Sequence, residues 1–385
     1  MKVARARAEQ FGGIVELSRP RALLHVDRQM MRELGYPESP LWQQPEGPLS
    51  APTEVHLVLS RRCAAGCRGC YVDATPQGAA LSREEACRIL DELAAMGVFH
   101  VALGGGEALE LDHLFAVAEH ARAVGITPNL TTSGLGLDER TAERCKVFGQ
   151  INVSVDGVGD AYRAARGFDG FPHAERALRL LRAVKREVGI NCVVSRSSFE
   201  GIGEVARLVR RLNLNELELL RFKPVGRGAR LDEELTPEQA KRLWPMARRL
   251  VFRHRIRVKL DCSFAPMVFW HKPSARAAAF FGVQGCVAGD VLAAVQPEGQ
   301  FTGCSFLSSG EDSFRLREKW PTAFAAIRGY VRTAPEPCAS CEYLHLCRGG
   351  CRAVSRAHGA LLDPDPGCPR VQEHRARRPL PVLAQ

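Results

Sequence analysis

A chain of 385 residues, 45% of them hydrophobic, is long enough for two domains plus an appendage, and no stretch of about 18 apolar residues is present to span a membrane. The net charge of +10 is dispersed along helical stretches (Arg207 to Leu212, Met246 to Arg257) and a final cluster from His374 to Arg378. No aromatics interleave with it, which argues against nucleic acid and leaves solvated helix faces or a groove for an acidic partner such as a peptide. Fourteen cysteines and an N-terminus without a secretory apolar segment point to metal ligation in place of disulfides, in a cytoplasmic protein that would be oxygen-sensitive if those cysteines hold iron–sulfur clusters.

In chain order, Phe11 to Leu34 reads as two short strands joined by a turn and followed by a helix, and PESPLWQQPEGPL reads as a linker. From about residue 51 strands and helices alternate. The strands are Val55 to Ser60, Phe99 to Leu103, Ile126 to Thr132, Ile151 to Val155, Ile190 to Ser195 and Leu217 to Phe222. The clearest helix starts at Ser82, with Glu85 completing a capping box and apolar Ile89, Leu93 and Met96 before Gly97 stops it. Another starts at Thr236, with Pro237 at its first position and Gln239 completing the box. Such repeats predict an α/β fold with a parallel sheet built of right-handed crossovers, and six strands are too few to close an eight-stranded barrel. RVKLDC (Arg257 to Cys262) looks like one more strand, and a boundary falls near residue 260. The reading divides the chain into an N-terminal extension (1–50), a core (51–260), a cysteine-rich domain (261–375) and a basic tail (376–385), Pro- and Arg-rich and poorly ordered.

The first strand runs into CAAGCRGC, with Cys63, Cys67 and Cys70. A 4Fe–4S cluster takes four thiolates, so three on one loop leave an iron open to something that is not protein. A zinc knuckle lacking a ligand, or three unrelated core cysteines, is the bland alternative. Ligands of parallel α/β sheets bind at the carboxyl ends of the strands, so the following turns matter. They are GGGEA (Gly104 to Ala108), TTSG (Thr131 to Gly134), SVDG with Ser154 and Asp156, then Ser195 and KPVGRG (Lys223 to Gly228). Further on come Cys286, Cys304, Cys338, Cys341, Cys347, Cys351 and Cys368, with Gly299 before Cys304; their intervals do not form the two CxxC couples of a zinc ribbon. Cys87, Cys145 and Cys192 lie in helix and strand patterns and read as core.

The cysteine loop and the glycine turn one helix later resemble the radical S-adenosylmethionine enzymes, over roughly residues 51 to 375. The resemblance implies a partial (β/α)6 barrel and a 4Fe–4S cluster on Cys63, Cys67 and Cys70, its open iron chelated by S-adenosyl-L-methionine. Gly69 and Tyr71 flank the last cysteine where the family usually has an aromatic residue or His just before it. By resemblance, Gly105, Gly106 and Glu107 hold the methionine amino group, with Ala108 in place of the family's proline. Thr132 and Ser133 form the next turn, with Ser133 at the family's Asn position. Ser154 and Asp156 contact the methionine and ribose ends. Arg166 either reaches the methionine carboxylate or is a surface arginine; Ser195 is a further candidate, and the KPVGRG turn resembles one that contacts adenine.

The seven later cysteines resemble the SPASM domain of anaerobic sulfatase maturases and the pyrroloquinoline quinone maturase. That implies one auxiliary cluster on Cys338, Cys341, Cys347 and Cys368 and another on Cys286, Cys304 and Cys351. Either Cys262 loops back as the fourth ligand of the latter, or an iron is open to substrate. The N-terminal segment faintly resembles the start of a peptide-recognition winged helix; an ordinary cap on the barrel is the alternative. Taken together, the resemblance implies reductive cleavage of S-adenosylmethionine to a 5′-deoxyadenosyl radical that abstracts hydrogen, most simply to oxidise or cross-link a ribosomally made peptide or small protein. An electron donor such as flavodoxin or ferredoxin is implied. Oxidation or decarboxylation of a small molecule such as a tetrapyrrole is the second reading, and a zinc- or cluster-containing binding protein without turnover the third. Asp290, Asp156 and several His are candidates for a base, and the sequence does not choose among them.

Overall fold

The N-terminal residues form three antiparallel strands, β1 (Lys2–Glu9), β2 (Gly12–Arg19) and β3 (Arg21–Asp27), and a helix, α1 (Arg28–Glu33). That is one strand more than the sequence predicts. β1 alternates Val and Ala with Arg, and small apolar residues give a weak strand signal. The segment read as a linker is also structured: Pro40–Gln43 forms a turn of helix whose Trp42 is buried and donates its indole N–H to the Gly12 carbonyl at 2.8 Å. The computed structural model describes residues 2–19, 21–184, 187–307 and 316–377, so the basic tail from residue 378 onward lies outside them.

The core sheet begins with β4 (Glu54–Ser60), β5 (His100–Gly105), β6 (Thr127–Thr132) and β7 (Gln150–Ser154). β8 (Glu187–Val194), β9 (Glu216–Arg221) and β10 (Val258–Leu260) continue it, and these seven strands are parallel throughout. Alternation sets their two faces. Val55, Leu57 and Leu59 of β4 are buried beneath the helices, whereas Glu54, His56 and Val58 line the inside. The crossover helices include α2 (Arg83–Ala95), α3 (Leu114–Ala123), α4 (Glu139–Arg144), α5 (Asp160–Arg166), α6 (Phe171–Ala183), α7 (Ile202–Arg211) and α8 (Pro237–His254). α2 and α8 start with the two capping boxes read from the sequence.

The sheet stays open, with β10 at one edge. Its other edge is extended by β11 (Leu292–Val295), parallel to β4, and by β12 (Phe301–Thr302), antiparallel to β11. The cysteine-rich region thus adds strands to the same sheet. At the opposite, N-terminal end of the strands sits the β1–β3 sheet. Arg7 donates to the carbonyls of Ala51 (2.8 Å), Pro52 (2.9 Å) and Gly97 (3.1 Å), and Glu16 bridges Arg5 and His100.

The C-terminal region is tied to the barrel by a buried ion pair. Arg221, at the end of β9, meets Asp365 through two hydrogen bonds of 2.7 and 3.1 Å, and both side chains are almost fully removed from solvent. Asp365 also accepts from the Cys351 and Gly367 N–H groups. Removing one partner of such a pair leaves a buried charge uncompensated. Asp365→Ala is therefore expected to lower unfolding stability by about 3–5 kcal/mol, read as the denaturation midpoint by circular dichroism.

Candidate functional site

Cys63, Cys67 and Cys70 lie on the loop after β4, each only partly buried, at the mouth of a cavity of about 1520 Å³ inside the barrel. This exceeds the roughly 300–1,000 Å³ of ordinary small-molecule sites, so it has room for a cofactor and a second reactant. The loop is held from two sides. The Gly106 N–H donates to the Ser60 carbonyl at 2.6 Å and the Glu107 N–H to the Arg62 carbonyl at 3.0 Å. A Cβ on Gly106 would lie 1.9 Å from the Arg62 oxygen, so only glycine allows this approach. Arg227, in the turn after β9, donates its side chain to the Cys67 and Ala74 carbonyls and its backbone N–H to Cys70. Phe222 and Leu231 come within 3.7 Å of where a Gly69 side chain would stand, so apolar cover arrives from a distant turn.

Glu107 is 1% exposed, and its carboxylate is engaged internally. It accepts from the Thr132 hydroxyl (2.6 Å), the Ser133 N–H (2.8 Å) and the Leu109 N–H (3.2 Å), clamping two strand ends together. Burial raises its pKa despite these bonds. Asp156 accepts from the Arg166 Nε (2.8 Å) and the Val193 N–H (2.7 Å). Burial opposes the Arg166 charge, but Asp156 and Cys67 beside it outweigh burial and hold the guanidinium charged. Arg166 is therefore no surface arginine: it lines the cavity next to Cys67. Ser154 faces the cavity, and the Ser195 hydroxyl joins Ser197 and Ser198 within its own turn.

The later cysteines gather into two groups. Cys262, in the turn after β10, interacts electrostatically with Cys286 and Cys351, and Cys304 does so with the same two. The structure thus places Cys262 near Cys286 and Cys351. Cys338, Cys341, Cys347 and Cys368 form the second group. Burial pushes Cys63 and Cys351 up to about 11 and Cys304 and Cys368 up to about 12, so without a bound cation these thiols stay protonated. All fourteen cysteines are free, and among the described residues no three potential ligands converge on one point as a single metal ion would require. Cys145 and Cys192 are fully buried core residues, whereas Cys87 is partly exposed on α2. Asp290, one base candidate, pairs with Arg348.

The sequence reading missed the polar barrel interior. Asn152 donates to Asn191 (2.6 Å) and to Glu218 (3.2 Å), while Glu216 pairs with Lys259 (3.0 Å). His56 and Glu54 line the same cavity from β4. The available signal was polar residues at every second position, as in ELELL and EVHLV, within strands whose other face is apolar.

Comparison with known proteins adds the following. Residues 57–209 match the family model described as the Radical SAM superfamily. The chain is 30% identical over 366 residues to mycofactocin maturase MftC of Mycobacterium ulcerans, covering 90% of this chain and 94% of that protein. It is 26% identical over 321 residues to the AdoMet-dependent heme synthase of Methanosarcina barkeri, covering 78% and 91% respectively. The crystal structure of Streptococcus suis SuiB bound to precursor peptide SuiA superposes with a TM-score of 0.75 at 16% identity, covering 94% of this chain and 98% of that one.

Burial pushes the Glu218 carboxyl up to about 7; Lys259 opposes this, and Glu216, Asp261 and Glu54 add to it. A carboxyl raised above its unfolded value of about 4.3 supports folding fully below that value, and the contribution is lost as pH rises through 7. Glu218→Gln is therefore expected to be more stable than the parent at about pH 8, with the difference vanishing towards pH 4 in urea titrations.

Proposed function

This chain belongs to the radical SAM superfamily, and we propose that it is a peptide maturase of that superfamily, with a radical SAM core over 51–260 and an auxiliary-cluster domain over 261–375. The observation that supports this best is likeness to a mycofactocin maturase along nearly the whole of both chains, the cysteine-rich region included. The cavity volume agrees with a cofactor and a peptide side chain held together. The likeness to a heme synthase supports the second reading, oxidation of a small molecule in the same cavity.

In this proposal Cys63, Cys67 and Cys70 hold the first 4Fe–4S cluster, and Gly105, Gly106, Ser133, Ser154, Asp156, Arg166 and Ser195 surround S-adenosylmethionine. Glu107 and Thr132 act beneath them, fixing the two strand ends. When bound, these cofactors supply the radical that removes a hydrogen atom from an unactivated C–H bond. The protein's own share is positional. The Arg166–Asp156 pair, engaged on both sides, presents a fixed cation beside Cys67 where a carboxylate can pair with it. The β1–β3 sheet covers the far end of the barrel and limits water there, and β3 keeps an open edge that suits strand addition by a leader peptide. The two later cysteine groups hold auxiliary clusters, Cys262 completing the first, and a flavodoxin or ferredoxin supplies electrons.

Anaerobic co-expression with each short reading frame flanking the gene, followed by intact mass of every peptide, tests the proposal. A loss of a hydrogen pair that disappears in the Cys63/Cys67/Cys70→Ala triple variant is the expected result. Unchanged peptides, with 5′-deoxyadenosine still formed by purified enzyme, would favour the small-molecule reading. Cleavage surviving in the triple variant would remove the radical assignment itself. For Cys262, iron analysis of reconstituted protein should fall from about twelve to about eight atoms per chain in Cys262→Ala, and unchanged iron would leave that cluster with three protein ligands.

A further inference from the structure

The oxidation of a C–H bond removes a hydrogen atom, an electron and a proton. In the radical reading the cofactors, when bound, would take up the first two, and the third needs a protein base. Most carboxylates of the cavity are already engaged. Asp156 holds Arg166, Glu107 clamps two turns, Glu16 bridges Arg5 and His100, and Glu216 pairs with Lys259.

His56 differs from all of them. It stands on the inner face of β4, two strand residues above Glu54, with 34% of its side-chain surface open to the cavity. Its Nδ1 lies 3.2 Å from the hydroxyl of Ser305. Its Nε2 lies 3.7 Å from a Glu54 carboxylate oxygen. The carboxylate favours the tautomer with the proton on Nε2, which leaves Nδ1 to accept from Ser305. Ser305 is itself placed between the two cofactor regions. It follows Cys304, and its neighbour Phe306 packs at a tilt against Tyr71, the residue after Cys70, with ring centroids 4.5 Å apart. β4 and β11 run side by side with His56 opposite Ala294, so the small residue leaves the imidazole room on that flank.

We propose that His56, hydrogen-bonded to Ser305 and backed by Glu54, is the base that takes the proton from the oxidised substrate. Resting on the radical-enzyme reading above, the step transfers one proton from the substrate, directly or through the Ser305 hydroxyl, to Nδ1. The imidazolium so formed is stabilised by Glu54. Burial lowers the pKa of His56, with Glu54 opposing, so the resting imidazole is neutral and able to accept.

Two experiments test this. Holoenzyme treated with diethylpyrocarbonate at about pH 6, below the ordinary histidine value, should be carbethoxylated at His56, as mapped by mass spectrometry. An unreactive His56 would overturn the proposal, because a base must be neutral and reachable from the cavity. His56→Gln, with iron content and cluster absorbance checked against the parent, is then given the peptide modified on co-expression. 5′-Deoxyadenosine should still form, product per 5′-deoxyadenosine should fall about 10²-fold, and freeze-quench electron paramagnetic resonance should show a substrate radical accumulating. Imidazole should restore coupling to His56→Ala. Unchanged coupling in His56→Gln overturns the assignment. So does loss of 5′-deoxyadenosine formation with clusters intact, which would put His56 in cofactor binding; so would uncoupling by Glu218→Gln alone, which moves the role to the deeper carboxylate. A parent enzyme that makes no 5′-deoxyadenosine would instead sink the radical reading on which this step stands.

Discussion

The contact between the Gly106 backbone and the Arg62 carbonyl carries more of this structure than its size suggests. At 1.9 Å from that oxygen there is no place for a Cβ, and the resulting approach lets the N–H groups of Gly106 and Glu107, just after β5, bond to the end of β4 and to the loop that follows it. The three-cysteine loop is thereby fastened to the sheet beside the turns that line the cavity. Glu107 extends the same fastening sideways to Thr132 and Ser133. A long loop left free would scatter its thiols over a wide volume, and ordering them on cluster binding would cost conformational entropy. Here much of that ordering is built into the backbone hydrogen bonds.

The second constraint is electrostatic. The barrel interior is polar, and burying charge there is tolerable only where each group is paired or hydrogen-bonded. Arg166 with Asp156, Arg221 with Asp365, Lys223 with Asp261 and Glu216 with Lys259 meet that condition. These pairs also join separate segments of the chain, linking β9 to the C-terminal region and to the turn after β10. Against this saturated background the less constrained groups stand out. Glu218 is held by one amide, and His56 by one hydroxyl with Glu54 behind it, and both face open cavity. Lys223 also lies 4.4 Å over the Phe306 ring, so the same charge network packs against the aromatic pair between the cysteine groups.

Much of the fold was legible in local patterns. The capping boxes at Ser82 and Thr236 and the strand segments of β4 to β10 appear within a few residues of their predicted positions, because caps and alternation depend on neighbours in the chain. The three-strand N-terminal sheet and the two strands after β10 were less visible. β1 is Ala- and Arg-rich, and β11 is a four-residue run that becomes a strand only by lying alongside β4. Trp42 read as part of a linker because its partner, the Gly12 carbonyl, is thirty residues earlier.

The sequence by itself determined the chemistry: three cysteines on one loop, seven more downstream, glycine and hydroxyl turns at strand ends, and a parallel α/β core. Those are matters of residue type and spacing, and spacing fixes what a strand or a loop can offer. Only the tertiary structure decided which groups work together. It brought Cys262 to Cys286 and Cys351, set Arg166 against Asp156, turned Glu107 inward as a clamp and placed His56 against Ser305, 249 positions away in the chain. Such pairings arise where a curved sheet returns distant strands to the same cavity, and no local pattern encodes that distance.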